Sequence, residues 1–440
     1  MISSLLYLLS AFLMVTAIDC LSAPSRVVRG YHIASVSVGI ALLTCMTLNI
    51  YDNALWILLA LFAGAGVGIL FAMRVQLSTL PQMVALLNGV GGLASALIIC
   101  CPFKNPKENI LEALCVIIGL MTFSGSMVAF AKLHGWLRRN IDWFKWLSVV
   151  LDVLLLVNAV YFVQTDQGFA GIMVLALLVG VCSTMPIGGA DMPVVISLLN
   201  SFSGWAVVLV GLISGDLLLI ITGTLVGASG TILSYVMSKA MNRSLLKIIW
   251  PNHKNIEKNS TSGGLVRTGS VEEAAFIMAN ARKVIVVPGF GMAAAHAQIA
   301  LKNMANVLTE KYGVDVRYAI HPVAGRMPGH INVLLAEAQV PYEQIYAMED
   351  INPDFETADV VYVIGANDVT NPLAKTDENS PLYGMPILEV SKAKTVFFVK
   401  RSMATGYSGV DNPLFYSPNT IMLFGDGKKV TENIVKDLEK

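Results

Sequence analysis

Two hydrophobic rhythms divide the chain near residue 240. Before it, apolar residues run on with little polar interruption in nine stretches, at about 2–21, 33–50, 54–73, 83–101, 110–131, 146–163, 168–187, 193–214 and 216–238. Crossing about 30 Å of hydrocarbon takes roughly 20 mostly apolar residues as a helix, so each stretch is predicted to span a membrane. Beyond residue 265 the pattern changes to short β-branched runs alternating with helical periodicity. Strands are expected at 284–287, 316–320, 360–364, 395–399 and 421–424. Helices are expected from the turn after 288 to about 311, at 329–338, around 349–357 and at the C-terminus. Such alternation predicts a soluble α/β doubly wound parallel sheet. The expected organisation is a transmembrane domain at 1–240, a hinge at 241–264 rich in Asn, Ser and Gly, and a soluble domain at 265–440.

Charge fixes the predicted orientation. If the soluble domain is cytoplasmic, the inner segments carry Arg26, Arg29, Arg74, Lys132, Arg138, Arg139, Lys145, Lys239, Arg243, Lys247 and Lys254, and the outer loops only Lys104 and Lys107. Basic residues stay on the inner side of a membrane, which places the N-terminus outside. Trp143 and Trp146 beside the most basic loop suit an interfacial belt. Because the opening Met-Ile-Ser-Ser is uncharged and further apolar stretches follow, a cleaved signal peptide is not expected. The formal net charge of zero gives no reason to expect a nucleic-acid partner. All six cysteines (Cys20, Cys45, Cys100, Cys101, Cys115, Cys182) lie in or beside apolar stretches and read as small buried hydrophobes. No metal site is expected.

Polar groups inside the spans carry more information, because lipid makes them costly. Asn88 and Asn200 each lie a short way into a span that starts on the inner side, with Ser124 and Ser126 in a span between them in sequence. Interhelical hydrogen bonding and a proton path are both open for the asparagines. Asp191 stands at the inner mouth of the eighth span, ahead of Pro193; it reads as a helix N-cap, as a functional carboxylate, or as both. Asp152 and Glu112 lie near span ends and are expected to snorkel or cap. Glycines in the spans (Gly64, Gly66, Gly68; Gly89, Gly91, Gly92; Gly223, Gly227, Gly230) are expected to let helices pack closely.

In the soluble part, Lys283 to Gln298 reads strand, G-x-G-x-x-A, helix, with Gly289, Gly291 and Ala294 at the fingerprint positions of a Rossmann-like nucleotide cradle. An ordinary tight βα turn is the other reading. Three more glycine-containing loops follow strands: 323–328, 365–369 and 406–409. An acidic residue at the end of the second strand would hold a ribose 2′-hydroxyl; here that strand ends in His321-Pro322. Lys400, Arg401 and Ser402 follow a strand directly and form a nest for a 2′-phosphate, or else a solvated basic edge. The balance favours NADP over NAD.

Several longer runs together resemble the β subunit of the proton-translocating NAD(P) transhydrogenases, along essentially the whole chain. They are 80–88 (LPQMVALLN), 188–194 (GGADMPV), 199–205 (LNSFSGW), 288–291 (PGFG), 321–329 (HPVAGRMPG), 365–368 (GAND), 400–402 (KRS) and 423–426 (LFGD). The resemblance implies a membrane domain that carries protons and a cytosolic domain that binds NADP(H). A separate NAD(H)-binding α subunit would complete hydride transfer between nicotinamides. It further implies NADP(H) contacts at Gly289, Phe290 and Gly291; at Val323, Ala324, Gly325, Arg326, Met327 and Pro328; and at Gly365, Ala366, Asn367, Asp368 and Val369. Others are implied at Gly384 and Met385; at Lys400, Arg401, Ser402, Met403, Ala404, Thr405, Gly406 and Tyr407; and at Asp426 and Gly427. The loop through Tyr407 would act as a lid. Asn88, Ser126, Asp191 and Asn200 would belong to the proton path, with Asp368 coupling cofactor state to it. A bacterial inner membrane and a dimer of heteromers are implied as well. Asn88 stands where some members have a histidine and cannot titrate, leaving that role to Asp191, to a partner subunit or to His32. Phe290 replaces a usual tyrosine. A transporter or channel gated by an NADP-sensing domain is the alternative from another class.

Overall fold

The structure is a computed structural model of the 440-residue chain. It describes residues 2–21, 26–49, 54–76, 79–100, 109–137, 143–188, 191–241, 244–249, 265–326, 329–378, 380, 382–406 and 408–440. Each of the nine apolar stretches contains a helix: α1 (Ile2–Leu21), α2 (Val27–Asn49), α3 (Ala54–Arg74), α4 (Leu80–Ile99), α5 (Asn109–His134), α6 (Phe144–Thr165), α7 (Phe169–Thr184), α8 (Met192–Ser214) and α9 (Leu217–Ala240). Six of them, α3 to α6 with α8 and α9, are long and apolar enough to cross a membrane. The seventh stops at Thr184, short of the expected 187; the Met185 N–H still donates to the Val181 carbonyl, but Pro186 has no N–H with which to continue the helix.

Small residues bring the helices together much as expected. A Cβ on Gly92 would lie 2.6 Å from the Gly119 carbonyl oxygen, and one on Gly204 would lie 2.4 Å from the Gly227 nitrogen. The α4–α5 and α8–α9 pairs therefore depend on glycine for backbone contact. Ser201 adds a hydrogen bond from its hydroxyl to the Gly227 carbonyl (2.7 Å), and Ser10 and Ser37 exchange hydroxyl-to-carbonyl bonds between α1 and α2 (2.9 and 2.8 Å). The expectation fails for α3. Gly64, Gly66 and Gly68 meet nothing within 4 Å, and the apolar window of α3 is 0% buried among the described residues.

The expected hinge at 241–264 falls mostly outside the described residues, apart from Met241 and a segment holding α10 (Leu245–Ile249). The soluble part then runs α11 (Val271–Ala279), β1 (Lys283–Pro288), α12 (Phe290–Ala294), α13 (Gln298–Tyr312), β2 (Asp315–Ile320), α14 (His330–Glu337), β3 (Ile345–Ala347), α15 (Met348–Ile351), β4 (Val360–Ile364), α16 (Leu373–Thr376), β5 (Thr395–Lys400), β6 (Thr420–Phe424) and α17 (Gly427–Glu439). All strand pairs are parallel, in the order β3-β2-β1-β4-β5-β6. Both faces are covered. Val284, Val286, Tyr362 and Phe397 join the core under α11, α13 and α17, while Ile285, Val287, Val361 and Phe398 join the opposite one with Phe355 and Phe415. Burial on both sides is why these strands read as unbroken apolar runs.

Three local expectations are corrected. The long helix after the glycine turn is broken into α12 and α13, with His296 at φ 51° between them. The helix around 349–357 is α15 followed by a 3₁₀ segment, Asn352–Thr357, into which Pro353 brings no N–H. The short strand β3 was not expected; three residues are too few to show a period. Ser270 caps α11, accepting from the Glu273 N–H at 3.1 Å.

Candidate functional site between the sheet and the membrane helices

The strand order reverses direction between β1 and β4, and the turns that follow these strands meet there. The Gly289 N–H donates to the Ile364 carbonyl and the Gly291 N–H to the Gly365 carbonyl, both at 2.9 Å. A Cβ on Gly291 would lie 2.5 Å from the Gly365 Cα, and one on Gly365, at φ 69°, would lie 2.2 Å from the Met292 nitrogen. The fingerprint glycines thus join two turns, and two of their amides are engaged within the fold.

Around this junction lies a cavity of about 220 Å³, lined by Gly289–Gly291, Val323–Arg326, Gly365–Val369, Met385 and Gly406. The structure therefore gathers most of the cofactor residues expected from sequence. Ser408, Leu382 and, from the membrane domain, Pro193, Met237 and Met241 complete the wall. None of these five was singled out from sequence as a site residue. Pro193 and Ser408 lay inside quoted runs, whereas Met237 and Met241 look like any apolar helix residue.

The loop after β2 is set by His321, which is 1% exposed. The Val323 N–H donates to its Nδ1 (3.2 Å), so Nε2 carries the proton and donates to the Pro386 carbonyl (2.7 Å). Burial lowers its pKa to about 4, against the pull of the Pro386 carbonyl and Glu349. Farther along, the Arg326 guanidinium lies 3.9 Å above the Phe290 ring. Its Nη1 donates to the Leu133 carbonyl at the end of α5.

The opposite wall is Asp368, whose carboxylate accepts from the Ser408 N–H (3.0 Å) and hydroxyl (2.7 Å). Burial raises the Asp368 pKa, with the Ser408 bonds and Lys400 acting the other way. A Cβ on Gly406 would come within 2.5 Å of Asn367 Nδ2, so the loop after β5 closes tightly over the 365–369 turn. Asn367 Nδ2 is buried with no hydrogen-bond partner among the described residues.

Lys400, Arg401 and Ser402 stand at the β5 edge, outside the cavity lining. Lys400 donates to the Ala404 carbonyl (2.8 Å) and lies over the Phe415 ring, and burial lowers its pKa against Asp411 and Asp368. Arg401 pairs with Asp426 (2.8 Å) and is mostly exposed. Ser402 accepts from the Ala404 N–H at 3.4 Å. Asp426 caps α17, accepting from the Lys428 N–H, and Gly427 opens that helix. Met403 packs against the core, Thr405 is exposed, and Gly384 turns at φ 78°. Met327, Pro328 and Tyr407 lie outside the described residues.

Within the membrane domain, α4, α5 and α8 bring Asn88 and Ser126 together. Asn88 Nδ2 donates to the Ile196 carbonyl (3.2 Å), one helical turn before Asn200. A Cβ on Gly89 would touch the Ser126 side chain, and the buried Ser126 hydroxyl has no partner among the described residues. Ser124 instead donates to the Met121 carbonyl (3.4 Å). Asp191 is 4% exposed and sits at the N-cap position, immediately before α8, where its side chain makes no cap hydrogen bond and its backbone is already helical (φ −88°, ψ −8°). His32 is exposed on α2, which packs on α1. Lys132, missed as a site residue, donates to the carbonyls of Thr184, Met185 and Ile187 and so holds the turn leading to Asp191. A cation near the end of an otherwise apolar span is the available signal.

The family profile described as NAD(P) transhydrogenase beta subunit matches residues 3–437. Two curated relatives from Rhodospirillum rubrum, both named NAD(P) transhydrogenase subunit beta, are 48% identical over 453 residues, covering 98% of this chain and 97% of their own length. With a helical membrane part, a parallel nucleotide-type sheet and likeness of that extent from end to end, the chain belongs to the NAD(P) transhydrogenase beta subunit family.

Proposed function

We propose that the chain binds NADP(H) in the cavity between sheet and membrane helices and links that site to proton movement through α4, α5 and α8. The observation that carries this reading is the composite wall. Gly289–Gly291 and Gly365–Val369 supply one side and Pro193, Met237 and Met241 the other, so an occupant would touch both domains. The residues present fit such a group. Asn367 Nδ2 offers a buried donor, Arg326 a planar cation at the cavity wall, and Lys400 and Arg401 further cations at the edge.

When bound, the nicotinamide would supply the hydride chemistry. The chain's own part is to orient the dinucleotide, exclude water with the 402–408 loop, and move or hold protons in the membrane domain. Arg326 and Asn367 would hold the pyrophosphate region, and Lys400, Arg401 and Ser402 a 2′-phosphate. The carboxylate of Asp368, tied to Ser408, makes the lid sensitive to charge at the site. Asn88 and Ser126 offer polar groups to a proton path, Asn200 lies one turn farther along α8, and Asp191 is the carboxylate at its inner end. The second nucleotide, NAD(H), belongs on the α subunit.

In this reading 1–240 is the translocating domain, 241–264 the hinge and 265–440 the NADP(H)-binding domain. The setting is a bacterial inner membrane, with the N-terminus outside, lipid around the helices, and a dimer of heteromers. Calorimetry on the full chain tests the cofactor assignment. NADP⁺ is expected to bind more tightly than NAD⁺, and replacing Lys400 and Arg401 with Ala should weaken NADP⁺ selectively. Equal losses for both nucleotides would remove the 2′-phosphate assignment.

A further inference from the structure

We infer that Arg326 is a positioning residue that docks the soluble domain on α5 and releases it when the cavity takes up a nucleotide phosphate. The inference rests on the reading of the cavity as the NADP(H) site.

Arg326 belongs to both structures at once. It lines the cavity, its guanidinium covers the Phe290 ring of the glycine turn at 3.9 Å, and its Nη1 donates to the Leu133 carbonyl. That carbonyl lies in the last turn of α5, where the helix itself provides no N–H partner. Gln82 Nε2, from the start of α4, also donates to it at 3.4 Å. One residue earlier, the Lys132 ammonium holds the three carbonyls of the turn that closes α7 and leads to Asp191. The end of α5 is therefore a joint at which α4, α7 and the cofactor loop meet, and Arg326 is the cofactor loop's hold on it.

The direction of exchange follows from the chemistry of the two acceptors. A backbone carbonyl offers a neutral oxygen, whereas a nucleotide phosphate offers anionic oxygens that a planar guanidinium can grip in pairs, adding ion-pair attraction to the hydrogen bonds. Leu133 does not lose all partners if Arg326 leaves, because Gln82 remains on the same oxygen. Gly325 at φ 106° and Gly329 at φ 70° lie on either side of Arg326 in sequence, both in the left-handed region that glycine enters without strain. A phosphate arriving beside Phe290 would draw the guanidinium into the cavity and free the α5 end. By reciprocity, the state of α5 would set the affinity of the cavity for the nucleotide.

Hydrogen exchange with mass-spectrometric readout on the full chain tests this, with nucleotide binding followed separately by calorimetry. Saturating NADP⁺ is expected to slow exchange at 289–291 and 323–326 and to speed it at 131–137 by roughly tenfold or more, as for loss of one hydrogen bond from a charged donor. Without nucleotide, Arg326→Ala should show the same fast exchange at 131–137. Arg326→Lys retains a cation that reaches a carbonyl but lacks the planar fork, so it should keep the α5 end protected both with and without NADP⁺. An Arg326→Ala protein that protects 131–137 as the parent does would overturn the docking role. Bound NADP⁺ with no change at 131–137 in the parent would overturn the exchange. Failure of NADP⁺ to bind in calorimetry would remove the cofactor reading and the phosphate half of the inference with it, while the nucleotide-free Arg326→Ala result still decides the docking.

Discussion

Asp368 and Ser408 face each other across the rim of the cavity, the carboxylate accepting from both the backbone N–H and the hydroxyl of the serine. This pair fastens the loop after β5 to the turn after β4. Burial nonetheless raises the Asp368 pKa, so desolvation outweighs the two donors and Lys400. The ionised carboxylate is thus a local strain that those bonds partly relieve.

Ser408→Ala should then raise the Asp368 pKa further and destabilise the soluble domain by roughly 1–2 kcal/mol at neutral pH, the order of one hydrogen bond to a charged group. The sign follows from the raised folded value: the cost of ionisation is present above it and disappears as pH falls through it. The loss caused by Ser408→Ala should therefore shrink on acidification. Denaturant melts at neutral and acidic pH check this, and a loss independent of pH would show that the serine acts through packing alone.

His321 has the opposite linkage. Its folded pKa of about 4 lies below the ordinary 6.5, so the unfolded chain takes up a proton first as pH falls. Stability should be full above about 6.5 and decline toward 4, by about 3 kcal/mol at most for a shift of that size. His321→Asn should remove this component while lowering stability at neutral pH, through loss of the bond to Pro386. Melting curves of parent and variant across pH 4–7 with the same slope would contradict the assignment.

Two glycines with nearly the same backbone separate strain from contact. Gly365 (φ 69°) and Gly313 (φ 68°) are both left-handed, but a Cβ on Gly313 meets nothing within 4 Å while one on Gly365 meets the backbone at 291–292. Gly313→Ala should cost about 1–2 kcal/mol from its backbone alone. Gly365→Ala should cost more and weaken nucleotide binding, because it forces apart the turns that frame the cavity. Chemical denaturation and calorimetry on the two variants check the ranking.

Much of this was legible because it rests on local pattern. Strands buried on both faces, such as β4 at Val360–Ile364, announce themselves by β-branched runs, and α3 to α6 by unbroken apolarity. The break at His296 was hidden, since an alanine-rich sequence favours helix on both sides of it. The roles of Lys132, Met237 and Met241 arise from contacts between segments far apart in sequence, which periodicity does not encode. Nor does the fingerprint say that Gly289 and Gly291 direct two amides to the carbonyls of Ile364 and Gly365. Asp191 followed by Pro193 looks like a helix cap, yet no capping bond forms.

The proposal that this chain couples hydride transfer to proton movement is tested most directly at Asp191. Asn keeps the size and hydrogen-bonding capacity of Asp but cannot titrate, so Asp191→Asn should remove a proton-carrying group while disturbing the fold little. The direct measurement uses proteoliposomes holding the chain with its NAD(H)-binding partner, a pH-sensitive dye inside, and NADPH with an NAD⁺ analogue outside. The parent is expected to acidify the lumen as the analogue is reduced. Asp191→Asn should bind NADP(H) normally, fail to acidify, and reduce the analogue slowly. Acidification by Asp191→Asn at the parent rate would contradict the account.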